Sequence, residues 1–509
     1  QMKGGPAFTA ASLDTSVFAR DGVSCLACHM QDPDSAGNFF SGDLHFDSAR
    51  VWGPYNQEQI HEEIMQFFVG FTPDQGSHIL DGRVCAGCHT AINHPVDLEG
   101  NPTGTSFYEQ TLWQEYVNSI YYGTEQNCRS CHMPRIQDSV VLASGYAFLT
   151  GQSPFGKHHL TGGSEFMLKM MRDHIGDFGI PATPTQFDST IARSRQLRQT
   201  TMSMSLDLIG YTDDTLFVDV ALNNLIGHKF PGGFPNRRAF IRLVALSAAG
   251  DTLFQSGGWD GNYEVIGNDL PYEPHHDVIT QGDQAQIYEF VMGDVNHDVT
   301  TTLLRAVHRL KDNRLVPIGY SVSHPSQDTT AIAGLALTDP DFNHDADGVE
   351  GNGGDIVHYH IPMDGYGGAV QVKASVWFQQ VPPRWNEEML EYHGARIDPF
   401  RAMYEAADNT PELVVGDSLS VTPTGIAVRA TDPPIRVFPN PTYDGRVLID
   451  DRAITAIVAY SATGQRVAIA TDRTAQGWRC ELPPQAGSYL LRITTAEDDR
   501  IVRVVRADH

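Results

Sequence analysis

Along the first two hundred residues, apolar positions recur at helical spacing only in short stretches. Ile60, Ile64, Phe67 and Phe68 share a face within 57–69. Leu112, Tyr116 and Ile120 do so within 111–122, with Trp113 and Val117 beside them, and 164–174 continues after Gly162-Gly163. A period near 3.6 predicts three brief helices and little other regular structure. From Met202 the period changes to two: Leu216, Val218, Val220 and Leu222 alternate with Thr215, Asp219 and Ala221. Further strand-like runs at 240–247, 252–255, 286–292 and 370–378 are parted by Gly and Asp clusters, the pattern of an antiparallel, immunoglobulin-like β-sandwich. A helix over 386–407 is expected to close it, interrupted at Pro399. A polar connector, 408–434, leads to a last strand-rich unit. The expected architecture is therefore multidomain: a sparse α-helical domain at 1–200, a β-sandwich with a late helix at 201–425, and a small C-terminal β-sandwich at 435–509.

Composition narrows the roles open to such a chain. At 509 residues and 41% hydrophobic content there is material for several cores. The formal charge of −27 excludes a nucleic-acid partner, because phosphate contact needs clustered Lys and Arg. No run of eighteen apolar residues is present, so no membrane span is expected. The start at Gln1-Met2-Lys3 suits a mature end left by signal-peptide removal.

Six of the seven cysteines fall in three short stretches: Cys25-Leu26-Ala27-Cys28-His29, Cys85-Ala86-Gly87-Cys88-His89 and Cys128-Arg129-Ser130-Cys131-His132. Each reads C-x-x-C-H. Two thiols at this spacing can form thioethers to the vinyl groups of one haem, and the following His then lies beneath the ring to ligate iron. A zinc knuckle or a thioredoxin-like pair also uses C-x-x-C, but neither needs a His directly after the second Cys in every copy. The expected cofactors are thus three c-type haems, with His29, His89 and His132 as proximal ligands. Covalent haem is attached outside the cytoplasm, so an exported protein is expected. Such domains need few regular elements because the porphyrins fill the core.

Several stretches carry a family resemblance: Gly22-Val23-Ser24-Cys25, Trp52-Gly53-Pro54-Tyr55, Val84 through Thr90, Cys131-His132-Met133-Pro134, Lys157-His158-His159-Leu160-Thr161-Gly162-Gly163, the run from Gly227 to Arg238, and Lys311-Asp312-Asn313-Arg314-Leu315. Over residues 15–410 the chain resembles exported multihaem c-type cytochromes with a β-sandwich after the haem domain. The last unit, with Val437-Phe438-Pro439-Asn440-Pro441, Tyr460 through Gln465 and Gly487-Ser488-Tyr489-Leu490-Leu491, resembles a type IX secretion system sorting domain. That resemblance implies passage across a Bacteroidetes-type outer membrane, an extracellular or cell-surface location, and, since the unit runs through His509, its retention.

The cytochrome resemblance implies His on both faces of each iron. Eighteen histidines remain beyond the three proximal ones. His228, in a Gly-His-Lys-Phe-Pro turn between predicted strands, is the first candidate. His159, with neighbouring His158 in reserve, is the second, and His78, seven residues before Cys85, the third. His45, His61, His94 and His276 are further reserves. Met30 and Met133 lie too close to the proximal His to reach the opposite face and are read as packing at the haem edge.

Asp341, Asn343, Asp345 and Asp347 alternate ahead of Gly348, as at the start of an EF-hand-like calcium loop. The Glu expected at the twelfth position is replaced by Asn352, leaving Glu350 or Asp355 as substitutes, and a solvated acidic turn explains the pattern equally well. Cys480, in a strand-like run, is read as a buried small apolar residue, with a link to another chain as the alternative.

Irons saturated by imidazole have no open position for substrate, so the expected function is extracellular electron transfer to other redox proteins or an extracellular acceptor, not catalysis. A homo-oligomer is expected, with a helical filament as its sharper form if head-to-tail contacts do not close; a monomeric carrier is the alternative. A multihaem nitrite- or hydroxylamine-converting enzyme would need one open iron with acid–base groups nearby, and no C-x-x-C-K variant is present. A haem-dependent sensor or adhesin is a third class, without a residue cluster to name its ligand.

Overall fold

The structure is a computed structural model; it describes residues 22–422 except 144, 213 and 269, and 436–507 except 441, 451–453, 462–465, 475–476 and 495–498. Two compact units result. The larger comprises residues up to Ile209, Phe217–Pro362 and Gly368–Thr422; the smaller comprises Gly210–Leu216, Met363–Gly367 and the chain from Pro423. The regions expected to be separate first and second domains thus fold as one unit.

The haem-motif region is built from short pieces. Helices α1 (Cys25–His29), α2 (Glu62–Val69), α3 (Arg83–Ala86), α4 (Leu112–Val117), α5 (Cys128–His132) and α6 (Phe166–Asp173) alternate with three two-stranded ribbons. These pair β1 (Arg50–Gly53) with β2 (Thr72–Gln75), β3 (Thr90–Asn93) with β4 (Phe107–Thr111), and β5 (Arg135–Ile136) with β6 (Phe155–Gly156). The helix expected over 57–69 breaks at Ile60 and His61, and α2 leaves Phe67 and Phe68 exposed. A fifteen-residue helix, α7 (Pro184–Arg198), was not foreseen from apolar periodicity; Phe187, Ile191, Ser194 and Arg198 form its buried stripe. Its start is written locally: Thr183 and Gln186 form a capping box around Pro184 at the first helical position, where a missing N–H costs nothing.

The β-sandwich has two sheets. One runs β13 (His308–Asp312), β12 (Ile287–Gly293), β9 (Arg238–Ser247), β15 (Val370–Gln379), β16 (Glu412–Val421), with β10 (Thr252–Ser256) also on β9. The other runs β11 (Val278–Ile279), β14 (Gly354–Pro362), β8 (Thr215–Asn224), β7 (Met202–Tyr211). In β8 the expected Leu216, Val218, Val220 and Leu222 are all buried, each burial contributing roughly 1.5–3 kcal/mol. Tyr288 of β12 donates to Asp355 of β14 at 2.7 Å, tying one sheet to the other.

Strand β16 lies inside the stretch expected to be connector. Its Glu, Gly, Asp and Ser residues hid it, yet it pairs along its length with β15 and occupies the sheet edge, where one polar face can meet water. The late helix is two helices, α8 (Pro383–Leu390) and α9 (Ile397–Ala406). Pro399 does not interrupt it: it sits in the first turn of α9, where no intrahelical donor is lost.

The haem-motif region packs directly on the sandwich. Phe107 stacks on Phe290 with ring centroids 5.9 Å apart, Ile120 donates its backbone N–H to Ile318 O at 2.9 Å, and Asn118 exchanges two hydrogen bonds with the backbone of Ser321. Buried Arg198 pairs with Glu165 and Glu412 at 2.6 Å each.

The smaller unit has two four-stranded sheets. The first is β17 (Arg436–Phe438), β18 (Arg446–Asp450), β22 (Gly477–Glu481), β21 (Ala470–Thr474); the second is β20 (Arg466–Val467), β19 (Ala456–Ser461), β23 (Gly487–Thr494), β24 (Asp499–Arg506). Val447, Ile449, Ala459, Leu491, Ile493 and Val504 form its core together with Cys480, which is fully buried. Of the sorting-type motifs, Pro441 and 462–465 lie outside the described residues.

Candidate haem sites

All three C-x-x-C-H motifs occupy helices of four or five residues or their immediate ends: α1, α3 running into Gly87-Cys88-His89, and α5. One turn of helix is the local structure that puts both thiols and the following imidazole on one side. All six cysteines are free thiols, and Cys25, Cys88 and Cys131 are exposed.

Two proximal imidazoles have a facing partner. His132 and His228 lie with ring centroids 6.4 Å apart and planes 16° from parallel. His29 and His158 lie 6.2 Å apart at 32°. Two imidazole nitrogens each about 2.0–2.1 Å from one metal lie about 4 Å apart, which places ring centroids roughly 6.3 Å apart. Both pairs have that separation, which suits one intervening iron.

Hydrogen bonds fix the tautomers. Nδ1 of His29 lies 2.6 Å from Trp52 O, Nδ1 of His132 2.5 Å from Thr161 O, and Nδ1 of His228 2.9 Å from Lys229 O. A carbonyl oxygen only accepts, so each Nδ1 carries the proton and each Nε2 keeps its lone pair for a metal. Desolvation pushes the His228 imidazole down to about 4, which keeps that ring neutral.

His78 stands apart. It is fully buried, and neither ring nitrogen has a hydrogen-bond partner. Among the described residues it is the one histidine with buried, unpartnered nitrogens, and such an orphan costs about 1–3 kcal/mol unless something binds it. Glycines make room for two of these rings: a Cβ on Gly76 would come within 2.5 Å of His78 Cε1, and one on Gly232 within 2.5 Å of His228 Nδ1.

The other histidines have different surroundings. His159 is not the residue opposite His29; its neighbour His158 is. His45 stacks on Phe39, and His61 meets the edge of Phe148. His94 bonds Ser106 at 3.3 Å, and His276 bonds Glu273 at 2.6 Å. Met30 is buried.

The motifs approach one another. The Cys85 sulfur is within hydrogen-bonding reach of the Cys128 sulfur, and Cys28 lies near enough to Cys88 for their charges to interact. Elsewhere in the haem-motif region Phe67, Phe68, Val141, Leu142, Tyr146 and Phe148 are exposed. Apolar surface on this scale is left open for an apolar ligand or partner. Facing imidazoles, free Nε2 lone pairs, paired thiols and uncovered apolar side chains all fit iron porphyrin.

The loop carrying His228 is anchored by a buried charge network that its sequence did not announce. Glu115 of α4 accepts from the Lys229 backbone at 3.0 Å and from Thr111 Oγ1 at 2.9 Å, and pairs with Arg314. Lys229 Nζ and Arg314 both reach Asp312 at 2.8 Å. Arg314, Lys229 and Arg309 hold the buried Asp312 carboxyl below the ordinary range against the burial that raises it. The stretches Gly227–Arg238 and Lys311–Leu315 thus meet through Lys229 and Asp312, 83 residues apart.

The candidate calcium set does not converge. Asp341 Oδ2 faces His358, the Asn343 side chain bonds the backbone of Tyr320 and Gly353, and Asp345 Oδ1 accepts from the amides of Asp347 and Val349 in its own turn.

No protein-family model matches this sequence, and no curated protein does. Among solved structures, a penta-heme cytochrome c552 from Thermochromatium tepidum aligns over 80% of this chain and 79% of its own, with 15% identity and a TM-score of 0.44. HBP35 of Porphyromonas gingivalis aligns over 64% of this chain and 70% of its own, with 12% identity and a TM-score of 0.16. Likenesses this distant assign neither fold nor function. Among the described residues no helix is long and apolar enough to cross a membrane.

Proposed function

We propose that this protein is an exported three-haem c-type cytochrome whose task is electron transfer. Haem, when bound, supplies one-electron ferric–ferrous chemistry. The chain's own residues hold it: Cys25, Cys28 and His29; Cys85, Cys88 and His89; Cys128, Cys131 and His132. His158 and His228, which face His29 and His132, would ligate from the opposite side at the first and third sites. His78, a fully buried imidazole, would serve the second. With imidazole on both sides of every site, no position is open to substrate, so the reading is a carrier and not an enzyme. Export follows from the chemistry of haem attachment and from the sorting-type motifs of the last unit.

The observation that carries the proposal is the meeting of Cys85 and Cys128. Each thiol belongs to a different site, so haems held at these two sites would be neighbours. Close spacing is what electron exchange needs, and the backbone fixes it here through Gly82, where a Cβ would come within 2.8 Å of the Cys128 sulfur.

The test is spectroscopic. The purified haem-loaded chain is expected to take up three electrons per molecule and to show only low-spin haem with bis-imidazole magnetic signals. A high-spin fraction that binds cyanide or nitrite would instead identify an open site and support the enzyme reading.

A further inference from the structure

Far from the cysteines in sequence, the sandwich assembles another set of ligand atoms. His358 on β14 and Asp219 on the neighbouring β8 both point away from the core, each at an outward position of an alternating strand. Asp277 immediately precedes β11, which pairs in parallel with β14 so that Val278 lies opposite His358. Asp341 comes from the loop before β14. Nδ1 of His358 lies 2.6 Å from Asp219 Oδ1. Its Nε2 lies 3.0 Å from Asp341 Oδ2 and 3.7 Å from Asp277 Oδ1. The Asp277 oxygen is itself buried and has no hydrogen-bond partner.

We propose that Asp277, Asp341 and His358 form a binding site for a divalent transition ion of the zinc class, with Asp219 as the group that orients the imidazole. A carboxylate accepts only, so Asp219 fixes the proton on Nδ1 and turns Nε2 toward the two remaining carboxylates. This carboxylate–histidine–metal order is the usual support of a ligating His. Ligands about 2.0–2.2 Å from a common ion stand roughly 3–3.5 Å apart, the range that 3.0 and 3.7 Å bracket. Three protein ligands, all partly exposed, leave room for water to complete the shell. One imidazole with two carboxylates favours a zinc-class ion over calcium, which takes six to eight oxygens.

The adjacent group of His275, Asp339 and Asp355 shows why ligand proximity alone does not suffice. His275 Nδ1 accepts from the amide nitrogens of Gln286 and Asn313. Those amides cannot turn over, because their oxygens accept from the backbone of His276 and Glu289. Nε2 of His275 therefore carries its proton and gives it to Asp339 at 2.8 Å. No lone pair remains for a metal. His358 differs: its Nδ1 proton goes to Asp219, so Nε2, which gives a proton to Asp341 at 3.0 Å in the metal-free chain, becomes a ligand when a metal ion displaces that proton to solvent.

The experiment uses the full haem-loaded chain, stripped by a chelator that leaves thioether-bound haem in place. It is titrated with Zn2+, and separately with Ca2+, and the ion retained after gel filtration is counted. One Zn2+ per chain is expected, lost in His358→Asn and in Asp277→Asn, and held 10- to 100-fold more weakly in Asp219→Ala, with no Ca2+ retained at the same concentration. Asp277→Asn keeps the test decisive should His358→Asn fail to fold, because the Asp277 oxygen has no hydrogen bond to lose. Absence of bound Zn2+ in the parent chain overturns the proposal and leaves a protonated His358 held between carboxylates. Zn2+ binding undiminished by Asp277→Asn, or Ca2+ retained as well as Zn2+, overturns it too.

Discussion

An imidazole that ligates iron has one nitrogen given to the metal and the other fixed by a hydrogen bond, and this rule separates the histidines here. His29, His132 and His228 each spend Nδ1 on a backbone carbonyl. His158 faces His29, while His159, one residue on, has Lys157 and Arg193 as its charged neighbours. His158→Ala is therefore expected to turn one haem in three high-spin, and His159→Ala to leave the optical and magnetic spectra unchanged; the reverse outcome would exchange the two assignments. The sequence offers His159 with His158 in reserve, and the geometry sets His158 opposite His29. The reason is physical: adjacent residues in an irregular segment can point either way, and no periodicity links them. The C-x-x-C-H triplets were legible because their chemistry is local. The distal side is supplied across the fold, so spacing carries no trace of it, apart from the glycines Gly76 and Gly232 that leave room for a ring.

At the scale of elements, what escaped the hydrophobic pattern was held by polar contacts. Helix α7 buries a guanidinium, and the Glu residues it meets come from positions 165 and 412. A reader of apolar periodicity sees no stripe there, although Thr183-Pro184 and Gln186 announce the helix start. Burial would raise Glu165, but hydrogen bonds from Arg195 and Arg198 outweigh it and hold the carboxyl at about 2. A depressed folded-state value means that the ionised form stabilises the fold. That contribution is complete above the unfolded value near 4.5, and it is lost as pH falls from there toward 2. Glu165→Gln is expected to lower stability at neutral pH and to flatten its decline across that window, measured as the denaturant midpoint against pH. A variant as steep as the parent between 4.5 and 2 would show that other carboxylates govern acid unfolding. The same logic made β16 invisible: an edge strand with Glu412, Gly416, Asp417 and Ser418 is recognised by its ladder with β15, not by its composition.

For the whole molecule, the question is which residues the haem chemistry needs. Every cysteine of the three motifs, and His29, His78, His89, His132, His158 and His228, belongs to the larger unit. So do the groups that brace the distal side: Glu115, Lys229, Asp312 and Arg314 form a buried network between α4 and the sandwich. The expected boundary at 200 would have cut through it, and breaking one such buried pair typically costs about 3–5 kcal/mol. A haem-motif fragment ending there loses the His228 ligand as well as the surface on which Phe107 and Ile120 pack. The smaller unit, by contrast, has its own core around Val447, Ile449, Leu491 and Val504 and holds none of these ligands. A chain ending after Thr422 is therefore expected to keep three haems per molecule with an all low-spin spectrum, whereas a chain ending at 200 is expected to show high-spin haem at the site of His132. The measurement is haem content and spin state of the two truncations, each against the full chain. Loss of low-spin character in the longer truncation would mean that the last unit takes part in saturating the irons, and the assignment of His78, His158 and His228 as the three distal ligands would have to be abandoned.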